Sequence, residues 1–253
     1  MTGEPKHSGR VAIVTGGTRG IGAAITARLV DEGAHVAAVY AGNHEAADAL
    51  VASLSGESGS VSLHCADIGD PTACQAVVAD VLRSHGRIDH LVNNAGLLVE
   101  NSPRKMTFDE WDRAIAVNLS ASFYFAQAVL DPMIEQGFGR IVNVSSVTAN
   151  MGSAVEAGYG AAKAGLLVLS RSLARSVARR GITVNVVVPG IFETDMTRSM
   201  PVDAQESIKA MIPAGRRGDP VELAHAVLFL LDERASYITG SVVTVDGGIS
   251  MGA

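Results

Sequence analysis

Short apolar runs alternate with helix-like stretches from Val11 almost to the end of the chain. The strand-like runs lie at 11–14, 35–40, 61–64, 89–92, 140–145, 182–188 and 241–245. The helix-like stretches lie at 21–32, 45–54, 71–85, 107–136, 154–180 and 220–231. The runs are continuously apolar, as in strands that helices cover on both faces. This order predicts an α/β fold, a doubly wound sheet of seven parallel strands with helices on both faces.

No Pro/Ser-rich linker and no repeat interrupts this order, which predicts a single domain over residues 1–253. Hydrophobic residues make up 47% of the chain, enough for a large core. The exception is a polar segment at about 191–215, which holds Pro201 and Pro213 and is much longer than an ordinary strand-to-helix connection. We expect this segment to act as a substrate lid.

Charge and composition narrow the class of partner. The formal net charge is -6 and no basic run is present, which favours a small-molecule partner over a nucleic acid or a membrane. The first ten residues lack the apolar core of a secretion signal, so we expect a cytoplasmic protein. The two cysteines, Cys65 and Cys74, and the seven histidines show no metal-ligand spacing, so we expect no metal site.

A glycine-rich turn, residues 15–22, joins the first predicted strand to the first predicted helix. Glycines allow a sharp turn and a close backbone approach, and a helix N-terminus favours an anion. The turn therefore predicts a pyrophosphate site, with an ordinary tight turn as the alternative.

The second predicted strand ends in Tyr40, Ala41, Gly42 and Asn43 and carries no acidic residue to hold a ribose 2′-hydroxyl. Arg19, inside the glycine turn, can pair with a 2′-phosphate. This pattern favours NADPH or NADP over NADH or NAD, although Arg19 is alternatively an ordinary surface cation.

Tyr159 and Lys163 lie four residues apart near the start of a long predicted helix, so their side chains share one face. A tyrosine has a pKa of about 10 and exchanges a proton near neutrality only when nearby cations stabilise its phenolate. Lys163 would supply such a charge. A surface tyrosine and lysine on an amphipathic helix are the alternative.

The pattern Thr-Gly-x-x-x-Gly-x-Gly at 15–22, the Tyr-x-x-x-Lys at 159–163 and Asn-Asn-Ala-Gly at 93–96 together resemble the short-chain dehydrogenase/reductase family. The resemblance runs from Val11 to the end of the chain and implies a Rossmann-like fold. The segments 180–185, 193–196 and 237–248 are similar to those of 3-oxoacyl-[acyl-carrier-protein] reductases.

The resemblance implies four catalytic residues: Asn118, Ser146, Tyr159 and Lys163. Ser146 lies thirteen residues before Tyr159, at the family's spacing, with Ser145 as the competing assignment. In the family, the asparagine completes a proton path through water to the lysine. The resemblance and the glycine turn together predict cofactor contacts from Gly16, Thr18, Arg19, Gly20, Ile21, Gly22, Ala41, Asn43, Asp67, Ile68, Asn94, Ala95, Gly96, Tyr159, Lys163, Pro189, Gly190, Phe192 and Thr194.

The expected reaction is NADPH-dependent reduction of a ketone to a secondary alcohol, with a 3-oxoacyl thioester as substrate and acyl carrier protein as a possible partner. Residues 97–100 and 137–138 depart from the pattern of those reductases, although Arg179 and Arg180 remain as possible docking charges. Another ketone or alcohol is therefore the alternative: a CoA thioester, polyketide, cyclic ketone, sugar or steroid. A non-catalytic dinucleotide sensor is the alternative from another class. The resemblance also implies a homotetramer formed through the long helices and the C-terminal region.

Overall fold

The computed structural model describes residues 6–194 and 202–252. Its strands form one parallel sheet in the order β3-β2-β1-β4-β5-β6-β7. The strands are β1 (Val11–Thr15), β2 (His35–Tyr40), β3 (Ser60–Cys65), β4 (His90–Asn93), β5 (Gly139–Val144), β6 (Ile182–Pro189) and β7 (Val242–Val245). The predicted α/β fold with seven parallel strands is confirmed.

The helices cover both faces of this sheet. They are α1 (Gly20–Asp31), α2 (His44–Ser53), α3 (Pro71–His85), α4 (Phe108–Ile115), α5 (Ala121–Glu135), α6 (Thr148–Met151), α7 (Ala157–Val177), α8 (Val202–Met211) and α9 (Pro220–Leu231). A π-helical turn (Ala116–Ser120) joins α4 to α5, and short 3₁₀ turns follow α7 (Ala178–Arg180) and α9 (Glu233–Ala235).

Alternate residues of the central strand β1 supply two separate cores. Ile13 packs with Leu91 and with Phe125 of α5 on one face. Val14 packs on the other face with residues of α1 and α9 such as Leu29. Because successive side chains of a strand point to opposite faces, a strand that is apolar at every position can serve both cores.

Most differences from the predicted elements lie at helix ends. The helix expected over 154–180 begins at Ala157 and ends in a 3₁₀ turn, and the one expected over 107–136 begins after Thr107, which caps α4 in a capping box with Glu110. The short helix α6 was not predicted. The expected lid segment contains a helix, α8, and its residues 195–201 lie outside the described ranges.

One stretch, Phe108–Glu135, is long and apolar enough for a membrane span by length and composition alone. Its residues Val117, Phe125 and Val129 are buried in the core beside the sheet. This stretch, which comprises α4, the π-helical turn and α5, therefore packs against the sheet and is not a membrane span.

Strand order fixes where a ligand can bind. The chain adds β2 and β3 on one side of β1 and then crosses to β4 on the other side. Doubly wound sheets bind ligands beyond the carboxyl ends of the strands at this switch point.

Stability should fall in mild acid because of His35, at the start of β2. Its ring nitrogens lie 2.7 Å from Ser60 Oγ and 3.1 Å from Ser62 Oγ, and its ring centroid is 3.8 Å from that of His85. Burial, and then the neighbouring His85 and His64, lower the pKa of His35 to about 4.

Because an unfolded histidine has a pKa of about 6.5, the unfolded state binds more protons than the folded state between pH 6.5 and 4. We therefore expect His35 to cost roughly 1 kcal/mol of stability on going from pH 7 to pH 5, after allowance for its partial exposure. Thermal unfolding at pH 7 and pH 5 tests this. The difference between the two Tm values should be smaller in His35→Asn than in the wild-type chain. The control is His225→Asn, on the exposed face of α9. If the Tm difference between pH 7 and pH 5 were the same in both variants, the role of His35 would be contradicted.

Candidate active site

A cleft of about 490 Å³ opens at the carboxyl ends of β1, β2 and β4. The predicted residues that line it are Gly16, Thr18, Arg19, Gly20, Ile21, Gly22, Ala41, Asn43, Asp67, Ile68, Asn94, Ala95, Gly96 and Thr194. Lining residues that the sequence analysis did not single out for cofactor contact are Val39, Tyr40, Gly42, Ala66, Leu97, Arg113 and Val117. The cleft lies at the switch point of the sheet, as expected for a ligand site.

The glycine-rich turn forms the floor of this cleft. Gly20 has a φ of +52°, in the left-handed region that favours glycine. A Cβ on Gly22 would overlap the carbonyl oxygen of Gly16 and would lie 2.6 Å from Asn94 Nδ2. The turn therefore needs glycine at 22 to let the start of α1 close against the end of β1.

The N-terminus of α1 is suited to an anion. Its N-cap residue, Arg19, makes no side-chain capping hydrogen bond, and the first turn carries no acidic residue. Backbone N–H groups and the helix dipole at such an end favour a phosphate. The residues present thus fit the pyrophosphate of a dinucleotide.

The wall of the cleft next to β2 carries no acidic side chain among the described residues. Among the described residues that line the cleft, Asp67 is the only acid, and it follows β3 and not β2. Arg19, in the glycine turn, also lines the cleft. The Asn43 side chain, which was predicted to contact cofactor, accepts a hydrogen bond from the Ala46 backbone N–H at 2.9 Å and so caps α2.

The two candidate serines after β5 have different surroundings. Ser145 is buried, and its hydroxyl donates to the carbonyl oxygen of Lys163 at 2.8 Å. Ser146 is only half-buried and lies within hydrogen-bonding reach of the Tyr159 hydroxyl. Ser145 thus ties β5 to α7, and Ser146 is the hydroxyl beside the phenol.

Tyr159 and Lys163 lie together near the start of α7. The Lys163 Nζ is 5.6 Å from the centroid of the Tyr159 ring and donates to the carbonyl oxygen of Val144 at 2.8 Å. Burial lowers the pKa of Lys163 to about 8. The ammonium is thus charged at neutral pH and loses its proton in mild alkali.

The pKa of Tyr159 is shifted upward. Burial raises it, the hydrogen bond with Ser146 opposes that shift, and the charge of Glu156 raises it further. The sequence suggested that Lys163 would lower this pKa, but in the chain alone the largest effect on it is burial, which raises it. The phenol is therefore protonated at neutral pH, which is the form that can donate a proton to a substrate.

Asn118 lies in the π-helical turn and connects three parts of the site. Its Oδ1 accepts from the Leu97 N–H at 3.0 Å, and its Nδ2 donates to the carbonyl oxygens of Leu97 and Ala114, both at 2.9 Å. A Cβ on Gly96 would lie 3.1 Å from Asn118 Oδ1 and 3.7 Å from Lys163 Nζ. Asn118, Gly96 and Lys163 therefore meet at one end of the cleft, and π-turns of this kind are frequent at functional sites.

Five predicted cofactor residues lie outside the cleft lining: Tyr159 and Lys163 of α7, and Pro189, Gly190 and Phe192. The Pro189 carbonyl accepts from the Val147 N–H at 3.0 Å, and the Gly190 N–H donates to the Val245 carbonyl at 2.9 Å, so both lie at the carboxyl edge of the sheet. Phe192 is buried in the core cluster shared with α1 and α9, where a Cβ on Gly218 would overlap its ring. The structure thus gives the Phe192 side chain a packing role.

Arg113 of α4 is the charged residue among the described lining residues that sequence reasoning missed. Its guanidinium donates to both carboxylate oxygens of Asp67, at 3.0 and 2.9 Å. The two residues are 46 positions apart, so no local motif could signal the pair. The described residues contain no group of three His, Cys, Asp or Glu side chains that could hold a metal ion.

Comparisons with known proteins agree over almost the whole chain. A family model described as enoyl-(acyl carrier protein) reductase matches residues 16–250. The 3-oxoacyl-[acyl-carrier-protein] reductases of Salmonella typhimurium and Escherichia coli are 44% and 43% identical over 243 residues, 96% of this chain and 98% of theirs. An acetoacetyl-CoA reductase of Shinella zoogloeoides is 43% identical over 240 residues, 94% of this chain and 98% of its own.

A solved structure supports the same assignment. A double mutant of a Serratia marcescens short-chain dehydrogenase/reductase superimposes with a TM-score of 0.91 at 36% sequence identity, covering 97% of this chain and 99% of that one. Similarity of this extent includes the glycine turn, the strand order and the segment that carries Tyr159 and Lys163. The chain therefore belongs to the short-chain dehydrogenase/reductase family of NAD(P)-dependent oxidoreductases acting on CH–OH and C=O groups.

Proposed function

We propose that this protein reduces the ketone of a 3-oxoacyl thioester to a secondary alcohol with NADPH. The observation that carries the proposal is the protonated Tyr159 phenol beside Ser146 and the buried Lys163, whose Nζ would lie 3.7 Å from a Cβ on Gly96 in the cleft wall. A dihydronicotinamide, when bound, supplies the hydride. The chain supplies the proton and stabilises the charge that forms on oxygen.

Each side chain has a separate task in this proposal. Ser146 donates a hydrogen bond to the carbonyl oxygen, on which negative charge develops. Tyr159 donates its proton to the same oxygen, and the Lys163 ammonium stabilises the phenolate that remains. Asn118 fixes the Leu97 backbone and keeps the π-turn next to Lys163. At this place Asn118 supports the proton path to Lys163.

The relatives favour a thioester substrate. Two of them are named for a 3-oxoacyl group on acyl carrier protein, and a third for acetoacetyl-CoA. The exposed arginines Arg179 and Arg180, after α7, offer docking charges for an acidic carrier. Phe138, in the segment that departs from the pattern of the carrier-dependent reductases, is stacked by Arg10 and Arg140, whose guanidinium carbons lie 4.1 and 4.4 Å from the ring centroid.

Substrate assays test this proposal directly. NADPH oxidation should be measured with acetoacetyl-CoA, a 3-oxoacyl carrier thioester, a panel of small ketones and an enoyl thioester. We expect turnover of the 3-oxo thioesters and none of the enoyl thioester. Turnover of the enoyl thioester alone would contradict the proposal, and tight NADPH binding without any turnover would favour the dinucleotide sensor.

Cofactor preference should depend on Arg19. Because charge-assisted hydrogen bonds contribute about 1.5–3 kcal/mol, Arg19→Ala should raise the KM for NADPH by roughly 10- to 100-fold and leave the KM for NADH within about threefold. Arg28→Ala is the matched control, since Arg28 lies in the last turn of α1 and pairs with Asp31 and Glu32. Equal losses with the two cofactors would exclude a phosphate contact by Arg19.

We also propose a homotetramer that uses the exposed face of α5 and α7. Phe123 and Val168 are 39% and 62% exposed there and line a shallow apolar groove with Leu119 and Leu169. Burial of such a groove stabilises an interface between copies. Val168→Glu should lower the mass measured by light scattering to that of a dimer or monomer, whereas Ala52→Glu on the exposed face of α2 should not. A tetramer that survives Val168→Glu would contradict this interface.

We further propose that residues 1–253 form a single domain and that the protein is cytoplasmic. Within this domain, we propose that the segment at about 191–215 closes over the substrate. Thr194, near the start of this segment, lines the cleft and lies against the Gly20 position of the glycine turn, where a Cβ would be 3.5 Å from its Cγ2. NADPH should therefore protect this segment from limited proteolysis. Cleavage within it at the same rate with and without NADPH would contradict a lid.

A further inference from the structure

The Asp67–Arg113 ion pair lies at the end of the cleft far from Tyr159. Asp67 follows β3, at the outer edge of the sheet, whereas Gly96 and Lys163 meet at the other end. The N-terminus of α1, which fits the pyrophosphate, lies between these two ends. With the nicotinamide at Tyr159, the adenine of a dinucleotide therefore falls at Asp67.

The geometry of the pair is bidentate and specific. Arg113 Nη1 lies 3.0 Å from Asp67 Oδ2, and Arg113 Nη2 lies 2.9 Å from Oδ1, which also accepts from the Gly69 N–H at 2.9 Å. A Cβ on Gly69 would overlap the guanidinium. The carboxylate plane is thus fixed by a planar fork and a backbone N–H.

Fold stability does not account for this arrangement. The Arg113 side chain is 46% exposed and the Asp67 side chain 57% exposed. Exposed ion pairs contribute only about 0–1 kcal/mol to the stability of a fold. Both residues line the cleft, however, so a bound nucleotide would cover them and remove the water that screens the pair. The pair gains most of its strength when the cleft is filled.

We propose that Arg113 is a cofactor-positioning residue that holds the Asp67 carboxylate to accept the exocyclic amino group of adenine. An ionised carboxylate only accepts hydrogen bonds, and that amino group is a donor. Hypoxanthine carries a carbonyl oxygen at the same place, which the carboxylate repels. The chain should therefore select adenine dinucleotides over their hypoxanthine analogues, and this selection should depend on Arg113. The inference rests on the proposed use of NADPH.

Binding measurements on the purified full-length chain test the inference. Arg113→Ala should raise the Kd for NADPH and for NADH by the same factor, about tenfold. Its Kd for the hypoxanthine analogue of NADPH should change by less than about threefold, so that adenine selection is lost. In the ketone assay, kcat at saturating NADPH should stay unchanged while the KM for NADPH rises.

Two further variants sharpen the test. Arg83→Ala is the matched control, since Arg83 is an exposed arginine on α3 that pairs with Asp80 away from the cleft, and it should leave every constant unchanged. Asp67→Asn should lose adenine selection by itself, and adding Arg113→Ala to it should have little further effect.

Three outcomes would overturn the inference. An unchanged Kd in Arg113→Ala would exclude a role in positioning the cofactor. A loss confined to NADPH would make Arg113 a phosphate ligand, and an equal loss for the hypoxanthine analogue would exclude adenine selection. Failure of the wild-type chain to bind NADPH at all would instead refute the proposed function.

Discussion

Replacing Tyr159 with phenylalanine is expected to lower kcat for ketone reduction by about 10²–10⁴-fold, the range that a positioned proton donor contributes. The substitution removes only the hydroxyl, which lies beside Ser146, and leaves the ring next to Lys163. We expect the Kd for NADPH to change by less than about threefold. Steady-state kinetics and a separate binding titration distinguish the two effects.

The control for this variant is Tyr237→Phe, because Tyr237 is fully exposed after α9. It removes the same hydroxyl at a position away from the cleft and should leave kcat and Kd unchanged. Near wild-type turnover in Tyr159→Phe would remove the phenol from the mechanism. Loss of cofactor binding in this variant would show that the Tyr159 hydroxyl also holds the cofactor.

Replacing Gly22 with alanine is expected to weaken NADPH binding by roughly 10- to 100-fold, since overpacking of this kind costs about 1–3 kcal/mol. A Cβ at this position would overlap the Gly16 carbonyl oxygen, which belongs to the backbone and cannot rotate away. The N-terminus of α1 would then be pushed from the end of β1, and the phosphate site would open. Calorimetric titration with NADPH measures the effect.

Gly42→Ala provides the matched control within the same cleft. Its Cβ would meet no protein atom within 4 Å, and Gly42 does not have a positive φ. We expect its Kd for NADPH to stay within about threefold of the wild-type value. If the two variants lost affinity equally, close approach at Gly22 could not be the reason for glycine there.

The sheet and most of the cleft could be predicted because their signals are local. Continuous apolar runs such as 182–188 indicate strands covered on both sides, and β6 is buried along its whole length. The glycine turn is also local, since its residues need special backbone geometry whatever surrounds them. The one-turn spacing from Tyr159 to Lys163 places both side chains on one helix face for the same reason.

Other features depend on tertiary contacts. The residues alone leave Ser145 and Ser146 as alternatives, and only the resemblance favoured Ser146. In the structure the packing of α7 on β5 decides which hydroxyl meets the Lys163 carbonyl and which lies beside Tyr159. The upward shift in the pKa of Tyr159 reflects burial, which no motif encodes. The Arg113 contact with Asp67 joins α4 to the end of β3. Phe192 was expected to contact the cofactor, but its side chain packs in the core cluster with α1 and α9.

Isotope transfer tests the central claim most directly. The chain should be incubated with acetoacetyl-CoA and NADPH that carries deuterium at the transferable position of the dihydronicotinamide, and the product analysed by mass spectrometry. We predict 3-hydroxybutyryl-CoA with one deuterium on the carbinol carbon for each NADPH consumed. Consumption of NADPH without deuterium at that carbon would contradict a reaction in which this site directs hydride to a ketone.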